Sequence, residues 1–143
     1  MPYRANYPAT VLEVLDPALR FRPAALRAVR AFARSKPWRG TLGQRRKKFR
    51  RCLAGLATAY GIPEPRLDFI GGGGESFASC YRPAEHRIIL RGRLSVVTFL
   101  HEFGHARGLD ERQTCRWSLN LFRRCFPRSF ARCRAVGHTL VRE

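Results

Sequence analysis

The stretch Ser95-Val96-Val97-Thr98-Phe99-Leu100-His101-Glu102-Phe103-Gly104-His105-Ala106-Arg107 decides how this chain is read. Ser95 suits a helix N-cap, and Gly108, immediately after the stretch, suits a C-terminal stop. Val96, Val97, Phe99 and Leu100 make the first turns apolar nearly all round, as expected of a helix buried in a small domain. Inside that helix lies H-E-x-x-H. Positions i and i+4 share one side of a helix, so His101 and His105 can offer imidazole nitrogens to one metal ion. Glu102 sits one step round, placed to reach a water at the metal rather than the metal itself. Zn²⁺ fits this set, because a catalytic site uses three protein ligands and leaves one position open. Water bound there ionises near neutral pH, with Glu102 as its proton acceptor. The bland alternative makes His101 and His105 ordinary hydrogen-bonded core or surface histidines. Burying two imidazoles and a carboxylate without partners is costly, which favours the metal and a zinc hydrolase, above all a peptidase.

A third ligand is expected close by in the chain. Asp110 followed by Gln113 has the spacing of a capping box, making Asp110 the N-cap of a second helix and Glu111 its first residue. On that helix Cys115, Leu119, Phe122 and Phe126 fall on one apolar face at spacings of 4, 3 and 4. Glu111, four residues before Cys115, shares that face, whereas Asp110 points away. A carboxylate heading an apolar stripe wants a cation, so Glu111 is the preferred third ligand and Asp110 the runner-up. A first-turn acid that complements the helix dipole is the other reading of Glu111.

These residues resemble a zincin, specifically a short gluzincin-type metallopeptidase of the ImmA/IrrE kind. Ile88-Ile89-Leu90 followed by Val97 to His105 resembles that family's strand, loop and active-site helix. Asp110 to Phe122, closing at Phe126-Pro127, resembles its glutamate helix, and the hairpin-like Ala78 to Leu90 its small sheet. The similarity covers residues 67–127. It implies that His101, His105 and Glu111 ligate one Zn²⁺ and that Glu102 is the general base. The spacing departs from the family, which places more chain between the second histidine and the glutamate. Here only five residues intervene, as in the metzincin pattern H-E-x-x-H-x-x-G-x-x-H, with Glu111 at the last position. SprT-like proteases, which act on DNA-bound proteins, use a histidine as third ligand. His138 is the only later candidate, and it is remote and lacks the following glycine.

Composition bounds the remaining possibilities. A chain of 143 residues suits one domain. It contains no apolar run long enough to span a membrane, and Met1 to Tyr7 lacks a signal pattern. Cys52, Cys80, Cys115, Cys125 and Cys133 form no C-x-x-C pair and suit reduced thiols, so a cytoplasmic protein is expected. Cys125 and Cys133 leave an accessory metal site open. The net charge of +18, carried mostly by arginine, favours nucleic acid or acidic partners, although codon bias would look the same.

The expected architecture is α+β: one zincin-like domain of N-terminal helices, a small three-stranded, mainly antiparallel sheet, an active-site helix and a glutamate helix. Residues 1–62 form the helical part, 63–127 the zincin core and 128–143 a basic helix. Residues 2–16 read as irregular or weakly helical. Pro23 opens one helix, and Thr41 with Gln44 caps another running to about Tyr60. Arg45 to Arg51 is the densest basic cluster and reads as a solvated helix face. Leu67 to Ile70 reads as a strand, Gly71 to Gly74 as a connection without a phosphate-loop lysine, and Ser76 to Leu90 as a hairpin. An edge of that sheet could take an extended peptide. The leading expectation is a zinc-dependent metalloendopeptidase acting on a regulatory or DNA-associated protein. The competing one is a basic nucleic-acid-associated protein with a structural or vestigial zinc site.

Overall fold

Ile88, Ile89 and Leu90 are all buried because they lie on the middle strand of a three-stranded sheet. The computed structural model describes residues 11–71, 79–136 and 139–142. Strand β1 (Arg66–Ile70) runs parallel to β3 (Arg87–Arg91), with Leu67 opposite Ile88. Strand β2 (Cys80–Arg82) runs antiparallel to β3, with Tyr81 opposite Ile88. The sheet is therefore mixed, not mainly antiparallel. The unbroken Ile-Ile-Leu run of β3 already departs from the alternation of a one-sided antiparallel strand. A single 3-10 turn, Pro83–Glu85, and a left-handed His86 (φ 47°) close the β2–β3 hairpin. The strand expected from Ser76 begins at Cys80; residues 76–78 and Gly72 to Gly74 lie outside the described residues.

Six helices accompany the sheet: α1 (Val11–Val14), α2 (Pro23–Arg34), α3 (Leu42–Tyr60), α4 (Val96–Ala106), α5 (Glu111–Cys125) and α6 (Pro127–Ala131), with α4 packed on β2 and β3. Pro23 begins α2, where its missing N–H is no loss. Thr41 and Gln44 form the expected capping box at α3: the Gln44 N–H donates to Thr41 Oγ1 (3.2 Å), and the Thr41 N–H to Gln44 Oε1 (2.9 Å). Phe49, Cys52, Leu53 and Leu56 of α3 are buried as their spacing requires. Phe32 of α2 stands edge-on to Phe49, Phe99 and Phe126, with centroids 4.9, 5.9 and 5.9 Å away. That aromatic cluster locks α2 and α3 behind α4 and α5.

Two polar ties, one buried and one exposed, hold the N-terminal segment on α5. Asn120 donates to the Val14 carbonyl (2.8 Å) and accepts the Asp16 N–H (2.7 Å), while Arg116 grips the Asp16 carboxylate (2.9 Å). Val11 and Val14 thereby cover Cys115 and Leu119 from behind. The C-terminus departs from the expected basic helix over 128–143. Helix α6 stops at Ala131, and β4 (Cys133–Val136) pairs antiparallel with β5 (Thr139–Arg142). Val136, Thr139 and Val141 are β-branched and Gly137 interrupts any helical run, so strand wins over helix there. Among the described residues no helix is long and apolar enough to cross a membrane.

Candidate metal centre

Helix α4 starts at the Ser95 cap, whose hydroxyl accepts the Thr98 N–H at 3.3 Å. Its end is a Schellman turn. The Gly108 N–H reaches the His105 carbonyl (2.9 Å) and the Leu109 N–H reaches the Gly104 carbonyl (3.1 Å). Gly108 takes φ of +90°, a left-handed conformation that suits glycine. This reversal delivers the chain straight to Asp110, which caps α5. Asp110 Oδ1 accepts the Gln113 N–H (2.8 Å), and Gln113 Oε1 accepts the Asp110 N–H (3.0 Å). With Asp110 committed to the cap, Glu111 is the residue turned back towards α4. Close approach of the helices depends on Gly104, since a Cβ there would lie 2.8 Å from the buried Thr114 Cγ2.

One carboxylate spans both histidines. Glu111 Oε1 lies 3.0 Å from His101 Nε2, and Oε2 lies 2.8 Å from His105 Nε2. Donor atoms of His101, Glu102 and His105 fall within 4.8 Å of one another, as do those of His101, Glu111 and Cys115. Both groups are positioned to hold a metal ion. A tetrahedral ion with bonds of about 2.0–2.1 Å sets its ligand atoms about 3.3 Å apart. The Nε2–carboxylate separations of 3.0 and 2.8 Å need expand by only about half an ångström to match that set. The donor types, imidazole and carboxylate, fit; the two metal-competent groups share His101, and neither contains His101, His105 and Glu111 together.

The electrostatics follow from this packing. Hydrogen bonds from His101 and His105 hold the Glu111 carboxyl far below its ordinary range. The same bond to Glu111 raises His105, against the opposing effect of burial. Glu102 is only 7% exposed, and burial pushes its carboxyl up, while His101 and His105 pull the other way. A buried carboxyl beside two metal-competent histidines is an environment of the kind in which functional carboxyls are found.

Each histidine is oriented through its second nitrogen. His105 Nδ1 donates to the Leu109 carbonyl at 3.1 Å, which orients the ring and leaves Nε2 facing Glu111. His101 Nδ1 instead faces Cys115 Sγ at 3.9 Å, and that thiol lies 3.7 Å from Glu111 Oε1. Burial, reinforced by Glu111, pushes the Cys115 thiol up to about 12, so it stays neutral and can donate to the carboxylate. The sequence placed Cys115 in an apolar stripe. Its spacing of four from Glu111 was the available signal that it belongs to the cluster. Cys125 and Cys133 belong to no metal-competent group among the described residues, and His138 lies outside them.

The cluster opens into a cleft of about 730 Å³ between β2 and the α4–α5 turn, bordered by Ser79, Cys80, Tyr81, Pro83, Gly108 and Leu109. The Tyr81 hydroxyl donates to His86 Nδ1 (2.7 Å), and His86 Nε2 donates to the Pro63 carbonyl (2.7 Å). His86 is thus a structural strut under the cleft wall, and its role was not legible from the sequence. No protein-family model matches the chain, no curated protein matches its sequence, and no solved structure matches its fold.

Proposed function

We propose that the chain is a zinc-dependent metalloendopeptidase of the gluzincin type, with His101, His105 and Glu111 as metal ligands and Glu102 as general base. The observation that carries this reading is the single Glu111 carboxylate shared by two Nε2 atoms, with a buried Glu102 alongside and an open cleft in front. A structural zinc site is closed by four protein ligands, whereas a catalytic one stays open on one side. When bound, Zn²⁺ supplies Lewis acidity to the scissile carbonyl and acidifies water.

The rest of the chemistry belongs to the chain. Glu102, kept receptive to a proton by burial, takes one from the attacking water and returns it to the leaving amine. His105, tied to the Leu109 carbonyl, keeps Nε2 directed at the reaction centre. Strand β2 is an edge of its sheet, and Cys80 and Tyr81 border the cleft. An extended peptide adding to that edge would run past His101 and His105, which suits cleavage within a chain.

The test is metal analysis combined with proteolysis of an unfolded protein such as casein. Wild type should carry one zinc per chain and cleave. Glu102→Gln should keep the zinc and lose activity by at least about 100-fold. Glu111→Ala and His105→Ala should lose both. Zinc-free protein that cannot be loaded would sink the proposal, as would full activity in Glu102→Gln.

A further inference from the structure

The basic residues are distributed unevenly. Between Pro17 and Pro63 the chain carries thirteen lysines and arginines and no acidic residue. Ion-paired carboxylates lie outside this stretch, among them Asp16 with Arg116, Asp68 with Arg66 and Arg87, Glu85 with Arg87, and Glu111 with His101 and His105. The α2–α3 hairpin is therefore a region of concentrated positive charge.

Within it, a basic recess and an exposed ring lie on either side of one tie, Lys48 to the α2–α3 turn. Gln44, Lys47, Lys48 and Arg51 line a shallow recess of about 350 Å³ on α3. Lys48 Nζ reaches from that recess to the carbonyls of Lys36 (3.0 Å) and Arg39 (2.9 Å), fastening the α2–α3 turn beside it. Trp38 sits in that turn and is 54% exposed, unusual for so large an apolar side chain. Its ring packs edge-on against Phe126, with centroids 6.3 Å apart.

We propose that the α2–α3 turn and the adjoining recess bind single-stranded nucleic acid, with Trp38 as a base-stacking platform and Lys47, Lys48 and Arg51 as phosphate contacts. Single-strand binding combines a basic groove with an aromatic face on which any base can stack. A duplex offers its phosphates to the recess but has no unpaired base for Trp38. An anionic membrane is the lesser fit, because an interfacial helix must present an apolar face. Phe49, Cys52, Leu53 and Leu56 of α3 are spent in the core, and of its outward residues Leu42 alone is a large apolar one, among Gly43, Gln44, Lys47, Arg50 and Arg51. This site uses no residue of the metal centre, so its success or failure is independent of the peptidase proposal.

The experiment is titration of the full chain, in chelator, with oligo(dT), with duplex DNA of the same length and with phosphatidylglycerol vesicles. Of the two tryptophans, Trp117 is buried, so quenching of intrinsic fluorescence by oligo(dT) reports Trp38. Quenching should vanish in Trp38→Phe, and affinity for labelled oligo(dT) should fall about tenfold in Trp38→Ala. The exposed-surface variant Lys47→Gln/Arg51→Gln should lower the slope of log affinity against log salt by about 1.4, at about 0.7 per lost single-strand contact. Equal affinity for the duplex, binding to vesicles but not to oligo(dT), absence of quenching, or an unchanged salt slope in the double variant would each overturn it.

Discussion

Cys115 touches two members of the candidate metal centre through one sulfur. His101 Nδ1 can donate to it, and its own proton can go to Glu111 Oε1. Such a bridge links the orientation of one histidine to that of the carboxylate, a task that the Leu109 carbonyl performs for His105 alone. Cys115→Ala should weaken zinc affinity about tenfold, as loss of an outer partner typically does, and Cys115→Ser should recover part of it. Competition with a chromophoric chelator reads the difference; equal affinities for all three proteins would show that the thiol orients nothing. At this scale the sequence was most legible where local geometry decides. The helical spacing of His101 and His105, and the cap that commits Asp110 and frees Glu111, depend on neighbours within one or two turns. The Tyr81–His86–Pro63 chain and the bridging thiol depend on how strands and helices meet, which local spacing does not encode.

At the scale of elements, the α4–α5 crossing positions the site, and Gly104 permits it. Alanine at 104 improves helix propensity by about 1 kcal/mol but drives a methyl into Thr114, an overpacking that costs about 1–3 kcal/mol. Gly104→Val adds bulk without that compensation. Thermal unfolding should show Gly104→Ala near neutral or mildly destabilised and Gly104→Val lower by about 2 kcal/mol or more, with zinc binding impaired in Gly104→Val. Unchanged stability and zinc binding in Gly104→Val would mean that the two helices do not cross this closely. The docking of α1 carries its own pH dependence. The Ala18 N–H and Arg116 hold the Asp16 carboxyl below its ordinary value, so this tie is present above the unfolded Asp range and lost as pH falls through the folded one. Amide exchange at Val11–Val14 should therefore accelerate on acidification in wild type, and Asp16→Asn should exchange quickly even at neutral pH. Helices with caps were legible in advance because Thr41/Gln44 and Asp110/Gln113 announce their own starts. The parallel pairing of β1 with β3 was not, since strand direction is set by a connection remote from the strands. The C-terminal hairpin differs from the expected helix because its arginines suit a helix face as well as a strand, while Val136, Thr139 and Val141 favour the strand.

The whole molecule carries two stabilising contributions that can be separated. One is the proposed zinc, which on that reading would bind only the folded chain and so raise stability with its concentration. At about a hundredfold excess over the dissociation constant this amounts to about 2.7 kcal/mol, or roughly 5–10 °C in Tm for a chain of this size. The other is the relief of self-repulsion among charges summing to +18, which salt screens over roughly 10 Å at moderate ionic strength. Were the few ion pairs such as Asp68 with Arg87 the dominant electrostatic force, salt would lower Tm instead. The excess of cations decides the sign: added sodium chloride should raise Tm. Zinc should raise Tm in wild type and Glu102→Gln but not in His105→Ala or Glu111→Ala, whereas the salt-induced rise should be common to all four. A zinc shift that survives loss of Glu111 but not of His105 would assign the metal to His101, Glu102 and His105 and overturn Glu111 as third ligand. A Tm that falls with salt would show that the arginines, for all their number, are spaced widely enough for the ion pairs to govern.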